Sequence, residues 1–76
     1  ELSYVIVGAL FEVSNEMGSG FQEKYYYRAV QKALEKRGLK VQTQVHVPIE
    51  FSDSKIGKYF LDFLVNDQII LELKFS

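Results

Sequence analysis

The apolar pattern of this chain changes period once, at Gly38. Before that glycine apolar side chains recur every three or four residues, as on one face of a helix; after it they alternate, as on a strand buried on one side. Such a chain must place helices first and a sheet second. With 76 residues it has length for a single domain spanning 1-76, and a core that small leaves stability marginal unless something supplements it.

The first helix is predicted over "SYVIVGALFEVSNEMGSG", with Ser3 as N-cap, Ile6, Leu10, Val13 and Met17 at helical spacing, and Gly18 at the left-handed C-terminal cap. "YVIV" alone also suits a strand, but no alternation follows it. The second helix is predicted from Phe21 to Arg37, opened by a capping box of Ser19 and Gln22 and closed by Gly38. Tyr26, Tyr27, Val30, Ala33 and Leu34 share one face, and Lys24, Arg28, Lys32 and Lys36 run beside it. Glu23 falls in the middle of the apolar face. An acid in a first turn interacts favourably with the helix dipole, but that accounts for an acid at any angle, not for one centred on the core stripe.

After Gly38, "VQTQVHVPIEF" alternates Val41, Val45, Val47, Ile49 and Phe51 with polar side chains, which predicts a strand buried on one face. Pro48 has no N–H for a ladder, so that strand lies at an edge or carries a bulge. "SDSKIG" is turn chemistry, "KYFLDFLV" a buried strand, and a turn at Asn66-Asp67 leads into "QIILELKF". The predicted architecture is α+β, two N-terminal helices packed on a three-strand antiparallel meander.

Charge is distributed unevenly. Residues 1 to 21 hold three acids and no base, 22 to 40 six bases and two acids, and 41 to 76 three bases and five acids, so a +4 segment sits in a protein of net charge −1. The net value weighs against tight nonspecific nucleic-acid binding. The basic line is either a solvated face or a nucleic-acid patch, and Tyr25 to Tyr27 suit the core and its rim better than base stacking. There is no Cys, which excludes disulfides and thiolate zinc sites and suits a reducing, cytoplasmic setting. No run of about 18 apolar residues suggests a membrane span, and no leader pattern is visible. His46, the one histidine, stands on a polar strand face without a partner for zinc or nucleophile chemistry.

Three charges, Asp62, Glu72 and Lys74, stand at even positions inside segments that otherwise read as core. A charge removed from water costs several kcal/mol unless paired, as an order of magnitude, so each needs a partner or a task. One account is a buried ion-pair cluster in which Lys74 neutralises a carboxylate. The other is a divalent-cation site, with two hard carboxylate ligands and a cation where anionic charge develops.

The residues resemble a known group at this point. Asp62 followed by "ELK" at Glu72 to Lys74 resembles the PD-(D/E)xK nuclease superfamily, and Gly20, Glu23 and Tyr26 in "GFQEKYY" resemble the signature of its GxxExxY branch; the likeness continues through "GALFEV", "RGLKVQTQV" and "YFLDFLV". The resemblance implies a restriction-endonuclease-like α-β-β-β core. In it Asp62, Glu72 and the Leu73 carbonyl would hold Mg²⁺, or Mn²⁺ in its place, Lys74 would orient or activate the attacking water, and Glu23 would complete the site from the helix. Gln44 also matches, with a weaker role. Leu61 stands where the motif has Pro. The superfamily core usually continues with a further helix and strand, so the resemblance implies a truncated core, either a fragment or a reduced domain. The implied activity is Mg²⁺-dependent hydrolysis of phosphodiester bonds in nucleic acid. Two other functions suit the same residues: a catalytically silent binding or assembly module, and a structural module whose charges only pair.

Two expectations concern geometry. A three-residue loop at 66 to 68 makes paired residue numbers sum to 134 and sets Asp62 across from Glu72, whereas a two-residue loop puts Glu72 on the wrong face. Both faces of the last two strands are apolar and two helices cover only one, so the chain is expected to form a homo-oligomer through the uncovered sheet face.

Overall fold

The computed structural model describes residues 1–75. Helix α1 (Leu2–Met17) and helix α2 (Glu23–Lys36) precede three antiparallel strands, β1 (Val41–Phe51), β2 (Ser54–Val65) and β3 (Ile69–Leu71), in sheet order β1-β2-β3. This is the α+β arrangement of two helices and a meander that the periodicity predicts. Among the described residues no helix is long and apolar enough to cross a membrane.

The helix boundaries differ from the predicted ones for local reasons. Helix α1 starts at Leu2 with Glu1 at the N-cap, and the Ser3 hydroxyl, already inside the first turn, donates to the Glu1 carboxylate at 2.5 Å. Its end is as expected in place but not in form: Gly18 has φ +66° and ψ −140°, a combination glycine alone adopts readily, and its N–H bonds Ser14 O at 3.0 Å. The capping box of Ser19 and Gln22 does not form. Helix α2 starts two residues later than predicted, with Gln22 as an N-cap whose side chain makes no capping bond. Glu23 is therefore the first helical residue, and it is exposed, where the helical wheel had centred it on the buried stripe.

Tyr26 does the work left by the missing cap. Its hydroxyl donates to Gly18 O at 2.8 Å and accepts from the Phe21 N–H at 3.3 Å, pinning the loop that passes through Gly20 at φ +100°. Phe21 packs edge-on against the same ring. At the other end Gly38, at φ +81°, closes α2: its N–H bonds Glu35 O, and the Leu39 N–H bonds Leu34 O, the paired bonds of a Schellman motif.

The core is formed by Ile6, Ala9 and Val13 of α1, Val30, Ala33 and Leu34 of α2, and Phe63 and Val65 of β2. Burial of a side chain such as Phe63 contributes about 1.5–3 kcal/mol. Ile69, Leu71 and Leu73 pack against this cluster from the last strand segment. The two helices are also tied at their polar edge, where Lys36 and Arg37 both donate to Glu12 and Arg37 reaches Gly8 O at 3.4 Å.

Strand β1 is an edge strand, which accommodates Pro48, and a bulge follows at Ile49/Glu50. Its predicted one-sided burial holds for only part of its length. The β1–β2 hairpin extends past the helices, leaving Val47, Ile49, Phe51 (69%) and Ile56 (65%) exposed. The turn there is tighter than "SDSKIG" suggested: Ser52 and Asp53, both left-handed, form it alone, and β2 begins at Ser54. The radius of gyration, 14.3 Å, exceeds the roughly 11 Å of a compact chain of this length.

The β2–β3 connection is a three-residue loop, with Phe63, Leu64 and Val65 paired to Leu71, Ile70 and Ile69. Asn66 and Asp67 are left-handed, the Gln68 N–H bonds Val65 O, and Asn66 exchanges two hydrogen bonds with Lys40: Asn66 N–H to Lys40 O at 2.8 Å and Lys40 N–H to Asn66 Oδ1 at 2.7 Å. The predicted strand "QIILELKF" is shortened to Ile69–Leu71, and residues 72–75 lie outside the ladder.

Two predictions follow from these ties. Removing the Tyr26 hydroxyl in Tyr26→Phe deletes both loop bonds and should cost about 1 kcal/mol, a fall in melting temperature of roughly 4–8 °C with faster amide exchange at Phe21; an unchanged melt refutes the loop-pinning role. Hydrogen bonds from Lys36, then Arg37, hold the Glu12 carboxyl at about 2, below its ordinary 4.5. A lowered folded-state pKa adds stability that is fully present above 4.5 and lost as pH falls toward 2. Glu12→Gln should therefore melt below wild type at neutral pH, and the difference should vanish between those two pH values in thermal scans.

Candidate functional site

Asp62 lies on β2 between the core residue Phe63 and the half-buried Leu61. Its Oδ2 accepts from the Leu73 N–H at 2.9 Å and from the Tyr27 hydroxyl at 3.3 Å. The first bond explains where β3 stops: beyond Leu71 the carboxylate of Asp62 serves the strand's N–H. Tyr27 approaches from α2, with its ring against Phe63 and Phe75 at centroid distances of 5.9 and 5.7 Å.

The ladder ends at the pair Phe63–Leu71, so no ladder pair joins Asp62 to Glu72 among the described residues; Glu72 follows directly after it, one residue before the Leu73 N–H from which Asp62 accepts. Glu72 is exposed, and the Tyr59 hydroxyl donates to its carboxylate, at 2.6 Å from one oxygen and 2.7 Å from the other. The two phenols sense both acids. Burial, then the charge and hydrogen bond of Asp62, raise the Tyr27 pKa, with Glu23 and Glu72 adding to it. The Glu72 hydrogen bond, then burial, raise that of Tyr59, with Asp62 adding to it. Both tyrosines therefore stay protonated donors at neutral pH.

The remaining predicted residues are less closely joined. Glu23 is exposed and, among the described residues, makes no side-chain hydrogen bond or ion pair with the group, its charge merely adding to the rise at Tyr27. Lys74 is exposed and, among the described residues, makes no ion pair; it borders an open cleft with Gly18, Tyr26, Leu73 and Phe75. No charged side chain among the described residues is buried. A buried cluster in which Lys74 neutralises a carboxylate is therefore not what holds these charges. Nor do three or more His, Asp or Glu side chains converge into a complete metal cage among the described residues.

Tyr27 and Tyr59 were not legible as site residues. Tyr27 reads as core from its place on the α2 face, and Tyr59 is at an odd position, away from the even-numbered charges. Neither is selected by the hairpin register, since Tyr27 lies on α2 and Tyr59 is not a register partner of Glu72. Gln44, which the resemblance marks with a weaker role, has φ +53° inside β1, and the flanking pairs Thr43–Phe63 and Val45–Leu61 set it opposite Asp62.

Comparison with known proteins adds one positive result. A family model described as the PD-(D/E)XK nuclease superfamily matches residues 1–76. No curated protein and no solved structure matches. The match spans the two helices that form the core and the hairpin that carries Asp62, and on that extent the chain belongs to the PD-(D/E)XK nuclease superfamily.

Proposed function

We propose that this chain is a Mg²⁺-dependent phosphodiester hydrolase acting on nucleic acid, of the GxxExxY branch. The observation that carries the reading is the three-residue loop register, which brings the Asp62 strand and the Glu72–Lys74 segment together. The donor set suits Mg²⁺. That ion is usually held by one or two carboxylates, with waters and substrate phosphates completing its shell, so two acids without a third converging ligand are sufficient.

In this reading Asp62, Glu72 and the Leu73 carbonyl would hold the cation, which when bound would supply positive charge to the phosphoryl oxygen. Mn²⁺ can take its place. Tyr27 and Tyr59 orient the two carboxylates, the Leu73 N–H fixes the segment against Asp62, and Lys74, unpaired among the described residues, orients or activates the attacking water. Glu23 adds negative charge from the first turn of α2.

A screen of DNA and RNA substrates with Mg²⁺ and Mn²⁺ tests this on the full chain. Asp62→Ala and Glu72→Ala should abolish cleavage, Lys74→Ala should slow it about 10² or more, and Glu23→Gln should weaken it less. Because Lys74 makes no ion pair among the described residues, Lys74→Ala should leave the melting temperature near wild type. Absence of any Asp62-dependent cleavage identifies a silent binding or assembly module instead.

The same reading includes a second copy as partner. The chain exposes 5653 Å², against about 4,800 Å² for a compact monomer of 8.8 kDa. The surplus, roughly 850 Å², is close to one partner's share of a standard interface. It is apolar where the sheet is uncovered, at Phe60 (48% exposed), Ile70 (58% exposed) and the distal hairpin. Light scattering at tens of micromolar, as an order of magnitude, should show a dimer; a stable monomer there rules out this assembly.

A further inference from the structure

Beside Asp62, on the α2 side, lies a groove of about 240 Å³ lined by Lys24, Tyr27, Arg28, Thr43, Gln44 and Asp62 together with the buried Phe63. Two of those residues are cations one helical turn apart. Lys24 Nζ sits 5.2 Å, and the Arg28 guanidinium carbon 5.8 Å, from the centre of the exposed Tyr25 ring. Like charges four residues apart on a helix repel. Further along the basic segment Lys36 and Arg37 share Glu12 and Lys40 pairs with Asp67, while Lys32, also without an ion pair among the described residues, borders a cleft that holds Glu12 and Glu16. Lys24 and Arg28 have no such acid among the described residues. Tyr25 holds them in place by its ring face without neutralising them.

We propose that Lys24 and Arg28, held by Tyr25, form a phosphate-binding subsite for the backbone of a nucleic-acid strand entering beside Asp62. This rests on the phosphodiesterase reading of Asp62 and names how its substrate is gripped. The chemistry is that of a polyanion. Two fixed cations about 6 Å apart along the helix meet successive backbone phosphates, and their charge offsets the repulsion a phosphate feels from the Asp62 carboxylate. Arg28 adds a planar fork that phosphate oxygens accept in pairs. Thr43 and Gln44 line the opposite wall with neutral donors.

The test is binding of a fluorescein-labelled single-stranded oligonucleotide to the full chain in EDTA, by anisotropy, over about 50 to 200 mM salt. Lys24→Gln combined with Arg28→Gln should lower the slope of log K against log salt by about 1.4, two contacts at roughly 0.7 each. Circular dichroism should show the fold retained, since both side chains are exposed. Lys32→Gln, on the same helix but bordering a different cleft with Glu12 and Glu16, should leave the slope unchanged. An equal loss from Lys32→Gln overturns the subsite, because the effect is then diffuse helix charge. An unchanged slope alongside intact Asp62-dependent cleavage overturns the subsite and leaves the hydrolase reading standing. A lowered slope with no Asp62-dependent cleavage overturns the hydrolase reading and supports Lys24 and Arg28 as the nucleic-acid contact.

Discussion

The reciprocal hydrogen bonds between Asn66 and Lys40 are the constraint on which the site geometry depends. They join the β2–β3 loop to the residue just before β1, at 2.7 and 2.8 Å, while Lys40 also pairs with Asp67. Asn tolerates the left-handed conformation that the loop requires, and its side-chain carbonyl serves the Lys40 N–H. A loop fixed in this way cannot shorten by a residue without losing both bonds. Since a one-residue slip turns every side chain of the last segment to the opposite face, the same clamp that closes the hairpin decides where Glu72 and Lys74 stand relative to Asp62.

Tyrosine hydroxyls then perform three separate positioning tasks around that frame. Tyr26 holds the α1–α2 loop, Tyr27 reaches Asp62, and Tyr59 holds Glu72. Tyr26 and Tyr27 also contact Phe75 through their rings, so the last described residue is packed against α2. An aromatic with a polar tip suits a small core, because it contributes apolar area and a donor from one side chain. The Gly20, Glu23 and Tyr26 pattern gains a physical meaning from this. Gly20 supplies the backbone conformation, Tyr26 closes the loop over it, and α2 is thereby fixed to start at Glu23.

Element order was legible because it depends on period alone. The alternation after Gly38, the edge position implied by Pro48 and the three-residue loop all appear in the structure. Cap positions were less legible. Ser19 and Gln22 have capping-box spacing, yet the loop bonds go to Tyr26, a residue eight positions from Gly18 that no local rule selects. Burial along β1 was misjudged because alternation reports which face is apolar and not how far the helices extend over it. Of the site, Asp62, Glu72 and Lys74 were visible as charges in apolar strands. Their tyrosine partners were not, since each lies thirteen or more positions from the acid it bonds.

Gln44 shows how the sheet accommodates an acid at this place. A non-glycine residue held left-handed costs about 1–3 kcal/mol, and such strain persists only where the surroundings impose it. Here the pairs Thr43–Phe63 and Val45–Leu61 flank it in the same register, so the distortion at φ +53° is confined to one residue and shifts nothing beyond it. The residue opposite is Asp62, whose carboxylate is engaged by Tyr27 on α2 and by Leu73 past the end of β3. A regular β1 would pair Gln44 with Asp62 as an ordinary ladder position. Gln44, in its left-handed conformation, instead lines the same groove as Lys24 and Arg28. Strain in β1 and the side-chain bond that ends β3 thus meet at one carboxylate, beside the groove that Lys24 and Arg28 line.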